Sequence, residues 1–158
     1  MILTGVIYFR KKLLSCFNRK MVWNNDLAFG QQYEKKLVEY LKPDSFEFKN
    51  NNEYDVLVVK GGKETKYEVK ADRMMGRTGN ICIEFECSKK PSGIQTTQAE
   101  HYAYFDTAND MLYLIPVRII KEFIVEGKYT RTINGGDGYK ARLHLFPKEV
   151  FSDYLVEH

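Results

Sequence analysis

The sequence predicts a mixed α/β domain in which a helix, three strands, a second helix and a further strand build a central mixed sheet flanked by helices. Three observations predict it. A helix-length amphipathic segment ends at Lys42-Pro43, where the residue before proline is driven out of helical geometry. Two runs of β-formers flank Gly61-Gly62, a pair able to take the positive φ angles of a two-residue hairpin turn. Between the helix and that turn, Val56-Leu57-Val58-Val59 is apolar at every position, as a strand covered on both faces is.

Taken in order, Met1 to Phe9 is apolar and is followed by Arg10-Lys11-Lys12, the reverse of a secretory signal. Residues 1–20 are expected to be an extension or basic arm, with Met21 as a natural start and residues 21–158 as one domain. Asn24, Asn25 and Asp26 offer an N-cap for a helix reaching Leu41. Its stripe of Leu27, Leu37, Val38 and Leu41 also contains Glu34, an acid on a core-facing line. Either Glu34 reaches solvent at the boundary or it serves a cation. Ser45 to Lys49 reads as a short strand and Asn50-Asn51-Asn52 as a loop. After the hairpin, Asp72 to Gly79 is a basic connection, and Asn80 to Cys87 alternates as a strand buried on one face. Ile94 to Phe105 is expected to be a helix with Tyr102 and Phe105 turned inward, and Met111 to Ile115 a short buried strand. The additions after it read as a helix (Val117 to Val125), a glycine-rich basic segment, a strand (Lys140 to Phe146) and a last helix opened by Pro147.

The hairpin carries the chemistry. With Gly61 and Gly62 as the central turn residues, strand partners sum to 123, and Asp55 faces Glu68. Facing acids repel and weaken a sheet. Lys70, two residues beyond Glu68, projects from the same face. Two carboxylates and an ammonium on one face can hold a divalent cation beside a positioned charge. Glu-x-Lys by itself is cheap, recurring at Glu34, Glu47, Glu64 and Glu126, and alternating charge also suits a solvated strand. The apolar run after Asp55 favours the buried reading.

Asp55 followed by Val56, with Glu68-Val69-Lys70 on the next strand, resembles the PD-(D/E)XK nuclease superfamily, and the predicted element order matches that family's restriction-endonuclease-like αβββαβ core over roughly residues 24–116. The resemblance extends to Glu34, since many such enzymes, Holliday-junction resolvases among them, carry a first-helix glutamate. Thr78-Gly79-Asn80-Ile81 through Glu84, then Ser92-Gly93-Ile94 and Thr97 ahead of Ala99-Glu100-His101-Tyr102, resemble phage- and virus-type members related to those resolvases. Gln98 and Tyr102 fit the Gln-x-x-x-Tyr motif of RecB-like nucleases.

The resemblance implies a metal-dependent nuclease that hydrolyses DNA, plausibly structure-selective, acting on double-stranded or branched DNA and as a homodimer in the case of a two-strand cutter. Mg²⁺, with Mn²⁺ as a substitute, would be bound by Asp55, Glu68 and the backbone carbonyl of Val69, with Glu34 on a second ion or a metal-bound water. Lys70 would polarise the attacking water or stabilise developing charge. Glu84, Gln98 and Tyr102 stand behind these as supports, although Glu84 reads equally as solvent-facing. Two alternatives stay open: a sequence-specific restriction or homing endonuclease, and a non-catalytic nucleic-acid-binding protein with the same fold.

Net charge is only +3, so a nucleic-acid surface has to come from clustering. Candidates are Arg73 and Arg77, Lys89 and Lys90, and Lys128, Arg131, Lys140 and Arg142 around the glycine-rich segment. No recognition helix, zinc finger or RNA-binding aromatic motif is present, which favours reading of backbone and shape. Cys16, Cys82 and Cys87 have no Cys-x-x-Cys spacing, giving no zinc site and an expectation of reduced thiols in a cytoplasmic setting, the host's if the source is viral. His101 and His144 lack partners at ligand spacing, Ser92 lacks a nucleophile elbow, and no stretch approaches the ~20 apolar residues of a membrane span.

Overall fold

A computed structural model describes residues 7–8, 20–49 and 52–156. Strand β1 (Ile7–Tyr8) pairs antiparallel with Asp72 and Ala71, and the remainder of the expected extension lies outside the described residues. Helix α1 (Lys20–Leu41) starts earlier than the expected cap. Neither Gly nor Pro interrupts Met21-Val22-Trp23, so Asn24, Asn25 and Asp26 are helical and Asp26 is buried. The helix stops at Leu41 as expected. Lys42 turns to φ 47° and its N–H still reaches the Val38 carbonyl at 3.0 Å, and Pro43 follows.

Strands β2 (Ser45–Phe48), β3 (Val56–Lys60) and β4 (Lys63–Asp72) then run as an antiparallel meander. Gly61 and Gly62 take φ of 58° and 75°, the double left-handed geometry of a tight hairpin turn. A four-residue helix, α2 (Met75–Thr78), leads into β5 (Asn80–Cys87) and the two-residue β6 (Lys90–Pro91).

The expected helix over Ile94 to Phe105 is absent. A 3-10 turn at Gly93–Gln95 is followed by β7 (His101–Asp106), which lies parallel to β4 and pairs antiparallel with β8 (Met111–Pro116). Tyr102, Ala103, Tyr104, Phe105 and Asp106 are all buried, so both faces of the strand are covered and neither period shows. The link between the parallel strands is thus a second small sheet, where a helix was expected.

The C-terminal part comprises α3 (Val117–Val125), β9 (Arg131–Gly135), β10 (Ala141–Pro147), a 3-10 helix at Lys148–Tyr154 and β11 (Leu155–Val156). One sheet has the order β11-β8-β7-β4-β3-β2, with β1 added to β4, and the other has β6-β5-β10-β9. This is a mixed α/β fold with a central mixed sheet flanked by helices. One face of that sheet packs Val56, Val58, Val69 and Ala71 against Tyr33 and Leu37 of α1. The other packs Tyr102, Tyr104, Tyr113 and Ile115 against Ile81, Ile83, Phe146, Ile120 and Phe151 from the second sheet and its helices. Among the described residues no helix is long and apolar enough to cross a membrane. Cys82 is a free thiol, whereas Cys87 is disulfide-bonded, which departs from the expectation of reduced thiols throughout.

Gly93 locks the second sheet to the strand that follows it. Its φ is 55°, and an added Cβ would collide with the backbone carbonyl of Glu84. Gly93→Ala therefore combines a left-handed backbone with a backbone clash, and should cost about 2–4 kcal/mol in urea unfolding. A change below about 0.5 kcal/mol, the range of an indifferent surface site, would contradict this packing.

Candidate active site

The glycine turn fixes the register from Lys60↔Lys63 out to Val56↔Tyr67, each pair summing to 123. Asp55 stands one step before Val56, beside Glu68. Its N–H donates to the Tyr67 carbonyl at 2.9 Å, and its carboxylate Oδ2 accepts the Val69 N–H at 2.9 Å. Lys70 is 2% exposed and its Nζ donates to Glu68 Oε1 at 2.5 Å, while the Glu68 side chain keeps 17% exposure. A burial this complete is tolerable for an ammonium only beside a compensating charge. The parallel register sets Tyr102 next to Glu68, and the Lys70 ammonium lies 5.7 Å from the centre of its ring.

Two further acids join this group. Glu34 of α1 is 2% exposed, and its charge acts on Asp55. Glu84 is buried and accepts a hydrogen bond from the Ser92 hydroxyl. The register of β10 against β5 skips Phe85, a bulge that directly follows Glu84 and breaks strict alternation there. Glu68, Glu84 and Asp55 thus act on one phenol, Glu68 binds one ammonium, and Glu34 acts on Asp55.

Burial is the main reason that the Asp55 carboxyl rises from 3.8 to about 7, reinforced by the charges of Glu68 and Glu34 and opposed by Lys70 and the Val69 N–H. Tyr102 is pushed well above its ordinary range by burial and then by Glu68, Glu84 and Asp55, so it stays a hydrogen-bond donor. The donor set is all oxygen, the kind that suits a hard divalent cation held through one or two carboxylates and several waters. Among the described residues no three His, Cys, Asp or Glu side chains are grouped so as to hold a metal ion. Asp55, Glu68 and the Val69 carbonyl are the oxygen donors that this hairpin could offer to one.

Other residues singled out from sequence lie elsewhere. Gln98 is exposed in the loop before β7, its backbone N–H bonded to the Glu53 carbonyl, so the helical Gln-x-x-x-Tyr spacing does not apply. Arg73 is exposed with its guanidinium 3.8 Å from the centre of the Phe29 ring, and Arg77 is exposed on α2. Lys89 lies in the β5–β6 turn, Lys90 opens β6, and Arg131 lies on β9. Lys128 pairs with Glu126 at 2.8 Å, and Arg142 with Glu86 at 3.7 Å. Asp72 is a strand-end cap, accepting from the N–H groups of Met74 and Met75 and from the Tyr104 hydroxyl. Sequence reasoning missed the Ser92–Glu84 link; the serine–glycine pair after β6 was its only trace.

The metal-free protein should lose stability as pH rises. Between about pH 4 and pH 7 the unfolded chain has released the Asp55 proton that the folded chain retains, so the deficit grows through that window and is complete above it. Its size is on the order of 4 kcal/mol. In chelator, Asp55→Asn should therefore be more stable than wild type at pH 8 and flatter between pH 5 and 8 by thermal unfolding. Parallel pH profiles for the two proteins would refute the burial of a strained carboxylate.

No protein-family model and no curated protein matches the chain. Among solved structures, it is similar to a bacterial homing endonuclease at 15% identity and a TM-score of 0.47, covering 82% of this chain and 77% of that one. It is also similar to a nuclease from a fusselovirus at 11% identity and a TM-score of 0.42, covering 85% and 88%.

Proposed function

We propose that this chain is a Mg²⁺-dependent nuclease of the PD-(D/E)XK kind that hydrolyses DNA phosphodiester bonds, with structure-selective cutting of branched duplexes as the specific activity. One observation carries the reading: a buried ammonium donates to Glu68 at 2.5 Å on the strand next to the buried, strained carboxylate of Asp55. Neither a solvated strand face nor an ordinary surface ion pair accounts for that arrangement.

Bound there, a divalent ion supplies positive charge against the scissile phosphate and acidifies a coordinated water. Asp55 and Glu68 would provide its carboxylate oxygens, and Val69 a backbone carbonyl. Glu34, on the packed helix, would restrain a water or a further ion. Lys70, bonded to Glu68 and 5.7 Å from the centre of the Tyr102 ring, would stabilise the negative charge that develops. Glu68 is the partly exposed member, so the phosphate enters on its side.

Supercoiled plasmid, linear duplex, four-way junction and single-stranded DNA, each with Mg²⁺ and with EDTA, test this. Wild type should cut in Mg²⁺ only, junctions best. Asp55→Ala, Glu68→Ala and Lys70→Ala should each lose about 10²-fold or more while remaining folded. Mg²⁺ should also raise the melting temperature of wild type at pH 8 and leave Asp55→Asn unmoved. Full activity in all three alanine variants, or an inert wild type, would sink the assignment.

A further inference from the structure

Tyr102 is 1% exposed, and its hydroxyl has no hydrogen-bond partner among the described residues. A buried polar group left unpaired is destabilising, and most such groups find a partner. The ring is anchored on both sides of its strand: Glu68 lies beside it on β4 and Ile115 on β8, with the Lys70 ammonium 5.7 Å from its centre. The hydroxyl therefore occupies a fixed point. Its surroundings are acidic, since the carboxylates of Glu68, Glu84 and Asp55 all act on it. A phenol hydroxyl has one hydrogen bond to give.

We infer that the Tyr102 hydroxyl is a catalytic group of this site, donating its hydrogen bond to the water that Lys70 polarises and fixing that water between Asp55 and Glu68. The inference rests on the nuclease reading above. Glu84, whose charge acts on the phenol, is itself held by the Ser92 hydroxyl. Tyr102 would thus supply the direction of the water, and Lys70 its activation. The two roles are separable because one group is neutral and the other charged.

Tyr102→Phe removes one oxygen atom and leaves the ring under Lys70. Cleavage of the best substrate in Mg²⁺ should fall about 10²-fold in the rate of the bound complex, with DNA affinity in EDTA unchanged. Losing a buried unpaired hydroxyl should meanwhile leave the melting temperature equal or raise it by about 2–4 °C. A wild-type cleavage rate in Tyr102→Phe would overturn the inference, and so would a lowered melting temperature, which marks a hydroxyl already bonded within the fold. Tyr102→Leu, which removes the ring as well, should weaken the seat of Lys70 and destabilise the protein, so a match between the two variants also counts against a role for the oxygen. If wild type itself cuts nothing, the nuclease reading fails and takes this one with it, an outcome distinct from an active wild type with an equally active Tyr102→Phe.

Discussion

A two-glycine turn decides how Asp55, Glu68 and Lys70 lie relative to one another. Because side chains alternate across a strand, a slip of one residue between β3 and β4 would send Glu68 and Lys70 to the α1 side and leave Asp55 facing an apolar neighbour. Gly61 and Gly62, both in left-handed geometry, hold the register against the mutual repulsion of Asp55 and Glu68. Lys70 lessens that repulsion, and burial more than Glu68 is what holds the Asp55 proton to about pH 7. The hairpin is folded against its own electrostatics.

What balances this is apolar packing on both sides of the central sheet. An imperfectly compensated buried charge costs several kcal/mol, while each fully buried aliphatic or aromatic side chain returns about 1.5–3 kcal/mol. Val56, Val58, Val69 and Leu37 lie within a few percent of complete burial on the α1 face, and Tyr104, Ile115, Ile83 and Phe146 do so on the other. Those two layers outweigh one strained carboxylate. Glu84 is buried beside a bulge at Phe85 and is held there by the Ser92 hydroxyl.

The parts legible in the sequence are those set by local chemistry. The glycine pair, the apolar run after Asp55 and the stop at Lys42-Pro43 each act over a few residues, and the hairpin register and the end of α1 follow from them. Glu34 was visible as an acid on an apolar stripe, and it lies buried within reach of Asp55. The β7 strand was illegible for a physical reason. With both faces covered it has no amphipathic period, and the spacing of Tyr102 and Phe105 imitates a helix. Gln98 lost its expected place in the same error. The start of α1 was misjudged because capping residues mark a helix end only where something stops the helix from continuing upstream. The Ser92–Glu84 bond depends on a bulge and on a glycine contact across two strands, neither of which periodicity records.

β4 and β7 lie side by side, yet the chain between them leaves the sheet, builds β5 and β6, and returns through the 3-10 turn at Gly93–Gln95. Parallel pairing of this sort closes a long loop, and loop closure and sequence separation both slow assembly. Residues of the first hairpin can meet early in folding, whereas the phenol that seats Lys70 arrives only with the strand beyond the excursion. A chain halted or nicked between Arg73 and Glu100 would keep both acids and the lysine while lacking the wall that orders them. The buried charged cluster is therefore complete only in the finished topology, and no fragment carrying the charged motif alone contains it.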